Sequence, residues 1–535
     1  MTRYRARLIT DANRKWWTLG AMCFALFMIM LDNTVVNVAL PSIERDLGAT
    51  VSSLEWTVNG YTLAFAVLLA TGGRLGDIFG RRLAFLIGVV LFSASSATAG
   101  LAPDTTSLVV SRVVQGIGGA LMMPATLSIV TNAFAPSERG KAIGTWAGVS
   151  ALALAIGPVL GGFLTEDVSW RAIFFINIPV GVGAVLASLF AVRESRDHTV
   201  GREVDYAGVA TLTPALTALV LALIEGNSWG WGSTSIVALL ATSAVMLAAF
   251  VLVELRVSAP MVEFRLFASR NFVGANLIAL IVSFAMFAQF FFLALYMQNI
   301  LGYSPLQAGL RFLPATLMIV AVAPIAGRLT DRIGARIPIA TGLSLVTAAM
   351  LWLTQVDAST SYGDLLPSFV LMGIGMALTM SPMSTAAMNA VTEAKAGIAS
   401  GILSMNRMVG ATLGVAVIGA VFQAAARSRL NELLAGAGLT AGQRSDIAHG
   451  LGGGQSVLPA GVDQSQAAQV ASAAHNAFID AFASSMRVAT GVVAAGVVVA
   501  VTLIRARPRS RPAPPEAVAA PTPAAELAAS EQPAR

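Results

Sequence analysis

Fourteen stretches on the order of 20 residues long run through this chain almost without a charged side chain. They cover residues 17–40, 56–73, 83–101, 106–131, 142–164, 172–192, 206–225, 233–253, 272–301, 312–327, 337–356, 365–391, 397–424 and 488–504. At a rise of about 1.5 Å per residue, a helix of about this length crosses the hydrocarbon of a bilayer. Lipid offers the backbone no hydrogen-bond partner, so a spanning segment is either a helix or a strand in a closed barrel. The alternating pattern of a barrel strand is absent. Of the 535 residues 56% are hydrophobic and 12% charged, about half the charge that a soluble protein uses as its wetted surface. The expected fold class is an all-α integral membrane protein.

The scarce polar residues exclude other classes. Cys23 is the single cysteine, and His198, His449 and His475 have no ligand spacing, so no disulfide framework, metal or other cofactor is expected. The basic excess of +6 would suggest nucleic acid only if it formed a soluble basic face. Gly116-Ile-Gly118-Gly119 and Gly373-Ile-Gly375 resemble pieces of a dinucleotide fingerprint, but they lie inside apolar spans and read as packing glycines. No Walker A sequence and no enzyme motif is present, so the chain reads as a non-enzyme.

Lys and Arg are retained in cytoplasmic loops. The N-terminal arm, the loops after even-numbered spans and the C-terminal tail together hold 25 of the 34 bases. This bias predicts a multi-pass protein of the inner, cytoplasmic membrane with both termini in the cytoplasm. The expected organisation is an arm (1–16), a six-span half (17–192), two inserted spans with linkers (193–256) and a second six-span half (257–505). The second half includes a long extracytoplasmic loop over 425–475, and residues 506–535, rich in Pro and Ala, read as a disordered tail.

An internal repeat supports that division. Gly73-Arg-Leu-Gly-Asp77-Ile-Phe-Gly80-Arg81-Arg82 recurs 254 residues later as Gly327-Arg-Leu-Thr-Asp331-Arg332-Ile-Gly334-Ala-Arg336. With two central spans inserted, each copy follows the second span of a six-span half. Two like halves with a pathway between them are a transporter architecture.

Ionisable residues inside a span are costly and mark function or pairing. Asp32 lies about 22 Å from the cytoplasmic end of span 1, and Arg112 falls at similar depth in the antiparallel span 4. They are candidates for a charge-exchange relay, with a static buried salt bridge as the alternative. Coupling to protons needs a carboxylate whose proton affinity rises with burial and falls beside a guanidinium. Asn37 and Gln115 are placed to join the same polar cluster. Arg407, with Asn406, sits mid-span with no acid nearby in sequence, and can cap carbonyls, face a central cavity or meet a substrate anion. Glu55 and Glu225, at outer span ends, are expected to be hydrated. Gly157-Pro158 and Gly161-Gly162 allow close helix approach, either as packing alone or as a closing seam. In the aromatic span 9, Phe287 and Phe291, with Gln289 between them, are the expected cavity-lining subset.

These residues resemble the major facilitator superfamily, in particular its fourteen-helix drug:proton antiporters. The Gly73–Arg82 loop is similar to the superfamily signature, with Ile78 where a basic residue is usual. Arg112-Val-Val-Gln-Gly-Ile-Gly-Gly-Ala resembles the span 4 motif associated with proton coupling. Ala-Ile-Gly157-Pro158-Val-Leu-Gly161-Gly162 resembles the antiporter motif, with Ala153 at a position usually glycine. Leu31-Asp32-Asn-Thr-Val-Val-Asn37-Val-Ala-Leu-Pro41, Trp170–Pro179 and Tyr296–Gly309 resemble segments of the fourteen-helix branch.

The resemblance implies a monomeric exporter of amphipathic drugs, antibiotics or secondary metabolites, driven by the proton gradient. Asp32 and Arg112 would carry the coupling. The Gly73, Asp77, Gly80, Arg81 loop and its Asp331, Arg332 copy would latch the cytoplasmic gate, and the Gly157–Gly162 seam would guard against leak. The alternatives are an importer or facilitator of a small solute on the same fold, or a non-transporting membrane sensor. The topology predicts that, in a Cys23→Ser background, Ser510→Cys reacts with a membrane-impermeant maleimide only in everted vesicles. Ser456→Cys is expected to react only in intact cells.

Overall fold

The computed structural model describes residues 13–134, 138–196, 205–258, 260–391, 396–435, 439, 440, 443, 444, 447 and 464–505. The expected tail (506–535) and most of the N-terminal arm lie outside the described residues. Among those described there are helices and no strand. The first half comprises α1 (Arg14–Leu47), α2 (Val51–Phe79), α3 (Arg81–Gly100), α4 (Thr105–Ala133), α5 (Arg139–Asp167) and α6 (Ala172–Ala191). Two further helices follow, α7 (Tyr206–Trp229) and α8 (Thr234–Glu254). The second half comprises α9 (Arg270–Leu295, continued by a π turn to Ile300), α10 (Pro305–Arg311 and Leu313–Ile333), α11 (Arg336–Leu353), α12 (Tyr362–Met388), α13 (Ala396–Leu433) and α14 (Gln464–Leu503).

Twelve of these helices are long and apolar enough to cross a membrane, and α2, bent in its course, makes a thirteenth. The 29-residue α5 covers the one remaining expected span. Local chemistry sets their ends. Asp104 and Ser304 close capping boxes that start α4 and α10. The repeated loops turn at Gly80 (φ 125°) and Gly334 (φ 84°), where a side chain would be strained. In both copies the glycine N–H bonds a carbonyl four residues back, Gly76 at 3.0 Å and Thr330 at 2.9 Å. The 254-residue repeat is thus also a repeat of backbone structure.

The helix packing is duplicated as well. α1 packs on α4, α5 and α6, α4 receives α2 and α3, and α3 reaches α6. In the second half α9 packs on α12, α13 and α14, α12 receives α10 and α11, and α11 reaches α14. The halves meet where α2 packs on α13 and α5 on α10, two contacts that the same correspondence exchanges. α7 packs on α13 and α2 beside this boundary, and α8 packs on α7.

Small residues make the closest contacts possible. A Cβ at Gly410 or Gly414 of α13 would collide with the carbonyls of Leu280 and Phe284 on α9. Gly157 and Gly161 of α5 meet Thr34 and Val35 of α1 in the corresponding place. The outer surface remains apolar, with Phe24, Val90, Leu152 and Val245 more than half exposed, as a lipid solvent requires.

Both described chain ends lie at one end of the bundle, the terminal end. The start of α1 bonds the end of α6 (Thr18 Oγ1 to Ala191 O, 3.4 Å), and the start of α9 bonds the end of α14 (Arg270 to Thr502 O, 3.2 Å). Towards the opposite, far end, α1 and α9 meet through Gln298 Nε2 and Val38 O at 2.8 Å.

One expectation is corrected here. Residues 425–475 are not wholly loop: α13 continues to Leu433 and α14 begins at Gln464, well before the expected 488. The small and polar residues there conceal an apolar stripe that includes the buried Leu430 and Val470, and just outside the stretch Phe422 packs edge-on against Phe478 at 5.0 Å. Arg429 ties the two helices by an ion pair to Asp480 at 2.7 Å.

Candidate functional site

Asp32 lies on α1, packed towards α4 and α6, and none of its surface is exposed. Arg112 enters two turns after the Asp104 cap of α4 and is 2% exposed. Its Nη1 donates to Asp32 Oδ2 at 2.5 Å and to Gln115 Oε1 at 2.7 Å, and its Nε donates to the carbonyl of Thr57 at 3.1 Å. Gln115 Nε2 donates to the other carboxylate oxygen at 2.8 Å. Asn177 Nδ2 of α6 reaches that oxygen at 3.4 Å and bonds Ser96 Oγ at 3.0 Å. The guanidinium lies over the Tyr61 ring at 4.3 Å from its centroid.

Four helices therefore hold one buried ion pair in a polar shell. The arginine has acceptors besides the acid, so it remains bonded if the acid is neutralised. Tyr61, Thr57 and Asn177 were not among the expected site residues. Asn177 stood in a family-like segment, whereas nothing in the α2 sequence marked Tyr61 or the Thr57 carbonyl.

Asn37 does not join the cluster. Five residues beyond Asp32, it lies roughly 140° round the helix, and its amide bonds back to Asn33 O at 3.1 Å.

The glycine seam is brought together. Gly157 and Gly161 face α1, while Gly162 faces α10, where a Cβ would lie 2.6 Å from Leu306 Cα. In return, Gly309 of α10 sits against the carbonyl of Pro158. Each half thus presents a glycine to the other's backbone, and Glu166 accepts the Leu306 N–H at 2.9 Å across the same boundary.

The loop at the terminal end is closed within its own half. Arg81 pairs with Asp77 at 2.9 Å, Gly73 packs near Pro124, and Glu194 accepts the N–H groups of Arg82 and Leu83 at the start of α3. In the second copy Arg332 is exposed, and the side chain of Asp331 lies outside the described residues.

The expected substrate residues do not converge. Gln289 lines a small internal pocket with Met286, Phe290, Ile319, Phe369 and Met376. Phe287 and Phe291 are buried and do not line it, and Phe291 packs on Phe292 at 4.8 Å. Asn406 bonds Asn276 of α9 at 3.0 Å, and Arg407 reaches Ser404 at 3.4 Å with no carboxylate beside it among the described residues.

Nor are the two outer acids simply hydrated. Glu225 accepts Ser52 Oγ at 2.6 Å, and Glu55 is fully buried. The reasons are α7, whose Glu225 meets Ser52 of α2, and α13, whose Gly419 and Gln423 enclose Glu55, neither of which the linear sequence announces.

Overpacking a tight helix contact costs about 1–3 kcal/mol. Gly161→Val is therefore expected to lower the melting temperature in detergent, because Val35 leaves its Cβ only 2.7 Å. Gly183→Val is the control, with nothing within 4 Å of its Cβ, and is expected to melt close to the unaltered protein.

Known proteins place this architecture. Residues 22–415 match the family model described as Major Facilitator Superfamily. The chain is 37% identical over 407 residues to the tetracenomycin C resistance and export protein of Streptomyces glaucescens, covering 76% of each chain. It is 39% identical over 415 residues to the puromycin resistance protein pur8 of Streptomyces alboniger, covering 76% of this chain and 82% of that one. In fold it is similar to the inward-facing, unoccupied crystal structure of a bacterial homologue of the human lysosomal transporter Spinster. That match has a TM-score of 0.60 at 16% identity and covers 92% of this chain and 98% of that chain. Duplicated halves, matching signature loops and this kinship lead to one conclusion: the chain belongs to the major facilitator superfamily.

Proposed function

We propose that this protein is a proton-coupled antiporter that exports amphipathic drugs, antibiotics or secondary metabolites across the cytoplasmic membrane, working as a monomer. The observation that carries the proposal is the buried Asp32–Arg112 pair at 2.5 Å. A paired charge so deep in a span is costly to keep for packing alone, since apolar residues of similar volume do that at least as well. The resistance and export roles in the relatives' names support the direction of transport.

The chemistry follows from the bonds. With Asp32 ionised, its two oxygens hold Arg112 and Gln115 and tie α1 to α4. A proton on Asp32 removes the charge that Arg112 answers. The guanidinium keeps Gln115, the Thr57 carbonyl and the Tyr61 face, so the tie between α1 and α4 weakens without leaving a bare cation. The halves then rock about the α2–α13 and α5–α10 contacts, with the substrate held between them. The glycine seam of α5 and α10 shuts the far end, and the Asp77 loop and its copy latch the terminal end in the opposite state.

In everted vesicles, Asp32→Asn is expected to abolish substrate-dependent proton movement while the protein still reaches the membrane folded. Undiminished proton movement in that variant would overturn the coupling role. Arg112→Ala leaves a buried carboxylate unpaired, which costs about 3–5 kcal/mol. It is expected to lose transport and part of its thermal stability, whereas full transport would refute the relay.

A further inference from the structure

Glu55 is a buried carboxyl that the coupling pair leaves unused. It lies about one turn into α2 from the far end, where α2 packs on α13 across the boundary between the halves, and none of its surface is exposed. Gly419 of α13 makes room for it, since a Cβ there would collide with its Oε1. Gln423, one turn further along α13, donates to Oε1 at 3.4 Å, and Oε2 has no partner. Towards the terminal end the same two helices share a hydroxyl–hydroxyl bond, Thr62 to Thr412 at 2.8 Å. Glu55 is therefore built into the seam and is not a surface residue that happens to fold inwards.

Among the described residues, neither oxygen of Glu55 is hydrogen-bonded by a cation. From α7, Glu225 adds a second acid nearby and is bonded by Ser52. From α13, Arg427 lies one turn beyond Gln423, and its Nη1 donates to the carbonyl of Asn227. From α4, Arg112 is held by Asp32, Gln115 and Thr57. From α1 come Asp32, in that cluster, Glu44, another buried acid, and Arg45, which is exposed and bonds the carbonyl of Pro41 and the hydroxyl of Ser42. The bases of α3, Arg81 and Arg82, lie at the terminal end. An ionised Glu55 here would be an unpaired buried charge, which proteins avoid by pairing or by neutralising the group. A neutral carboxyl keeps the Gln423 bond and carries no such penalty. When α13 moves off α2, water reaches the carboxyl and favours its ionised form.

We propose that Glu55 is a proton-binding residue of the transport cycle, protonated when the far seam between α2 and α13 closes and ionised when that seam opens. The proton comes from water at the far end and returns there on reopening. Glu55 thus carries no proton across; it makes closure of the far seam depend on acidity at that face. The sign is fixed: lower pH favours the closed seam. The inference rests on the alternating transport proposed above and names a residue beyond the Asp32–Arg112 pair.

The test reads the seam directly. Pro103 and Ala358 are exposed at the far end on opposite halves. Spin labels at Pro103→Cys and Ala358→Cys, in Cys23→Ser protein in lipid nanodiscs, report the opening as a distance distribution by double electron–electron resonance. Asp32→Asn is included so that the coupling pair cannot titrate. The closed, short-distance share is expected to rise as pH falls. Adding Glu55→Gln is expected to abolish that shift and hold the seam closed at every pH, and Glu55→Asp to restore a titration. A pH-independent distribution with Glu55 intact, or an unchanged shift with Glu55→Gln, would overturn the inference. The vesicle assay of Asp32→Asn reports separately on proton coupling, so the two readings fail independently.

Discussion

The cost of holding charge inside lipid organises this protein. A bilayer interior gives ions no solvent, so an ionisable group in a span is costly unless it is paired, neutralised or turned to the bundle interior. Asp32 and Arg112 are paired, and the pair is completed by groups from α1, α2, α4 and α6. The first half is in effect assembled around one carboxylate. If that carboxylate changes its charge, the relation between those helices changes with it.

Close backbone contact supplies the complementary constraint. Lipid gives little hydrophobic drive for helix association, so the helices hold by dispersion over tight, small-residue contacts. Gly157 and Gly161 serve α1–α5, Gly410 and Gly414 serve α9–α13, and Gly162 and Gly309 join the two halves. At Gly162 and Gly309 the contact between the halves is glycine against backbone, and so close. The rocking proposed for the halves asks for a surface of this kind, which can separate and re-form. The α2–α13 seam differs in that it also buries a carboxyl, which makes it the part of the boundary that chemistry can address.

The fold was legible to an unusual degree because lipid simplifies the code. Long apolar runs gave the helices, and the 254-residue repeat gave the two halves, later seen as matching turns at Gly80 and Gly334. The Asp32–Arg112 pair and Gln115 were legible because polar residues in a span are few and their depths can be counted. The extended ends of α13 and α14 were not, since alanine, glutamine and serine carry little of the apolar signal that marks a helix in lipid. Asn37 failed for a geometric reason: proximity along a helix is not proximity around it. The aromatic residues of α9 failed because apolar side chains on every face look alike until neighbouring helices select one.

By itself, then, the sequence determined the kind of elements, the duplication and the Asp32–Arg112 pair that burial required to be satisfied. Each follows from local burial costs that every residue pays irrespective of its neighbours. Only the tertiary structure decided which groups complete the pair, that Gly162 and Gly309 face each other's backbones, and that Glu55 is sealed between α2 and α13. Those outcomes depend on how helices distant in sequence are rotated and set against one another. That choice is made by packing summed over many contacts, and no single residue records it.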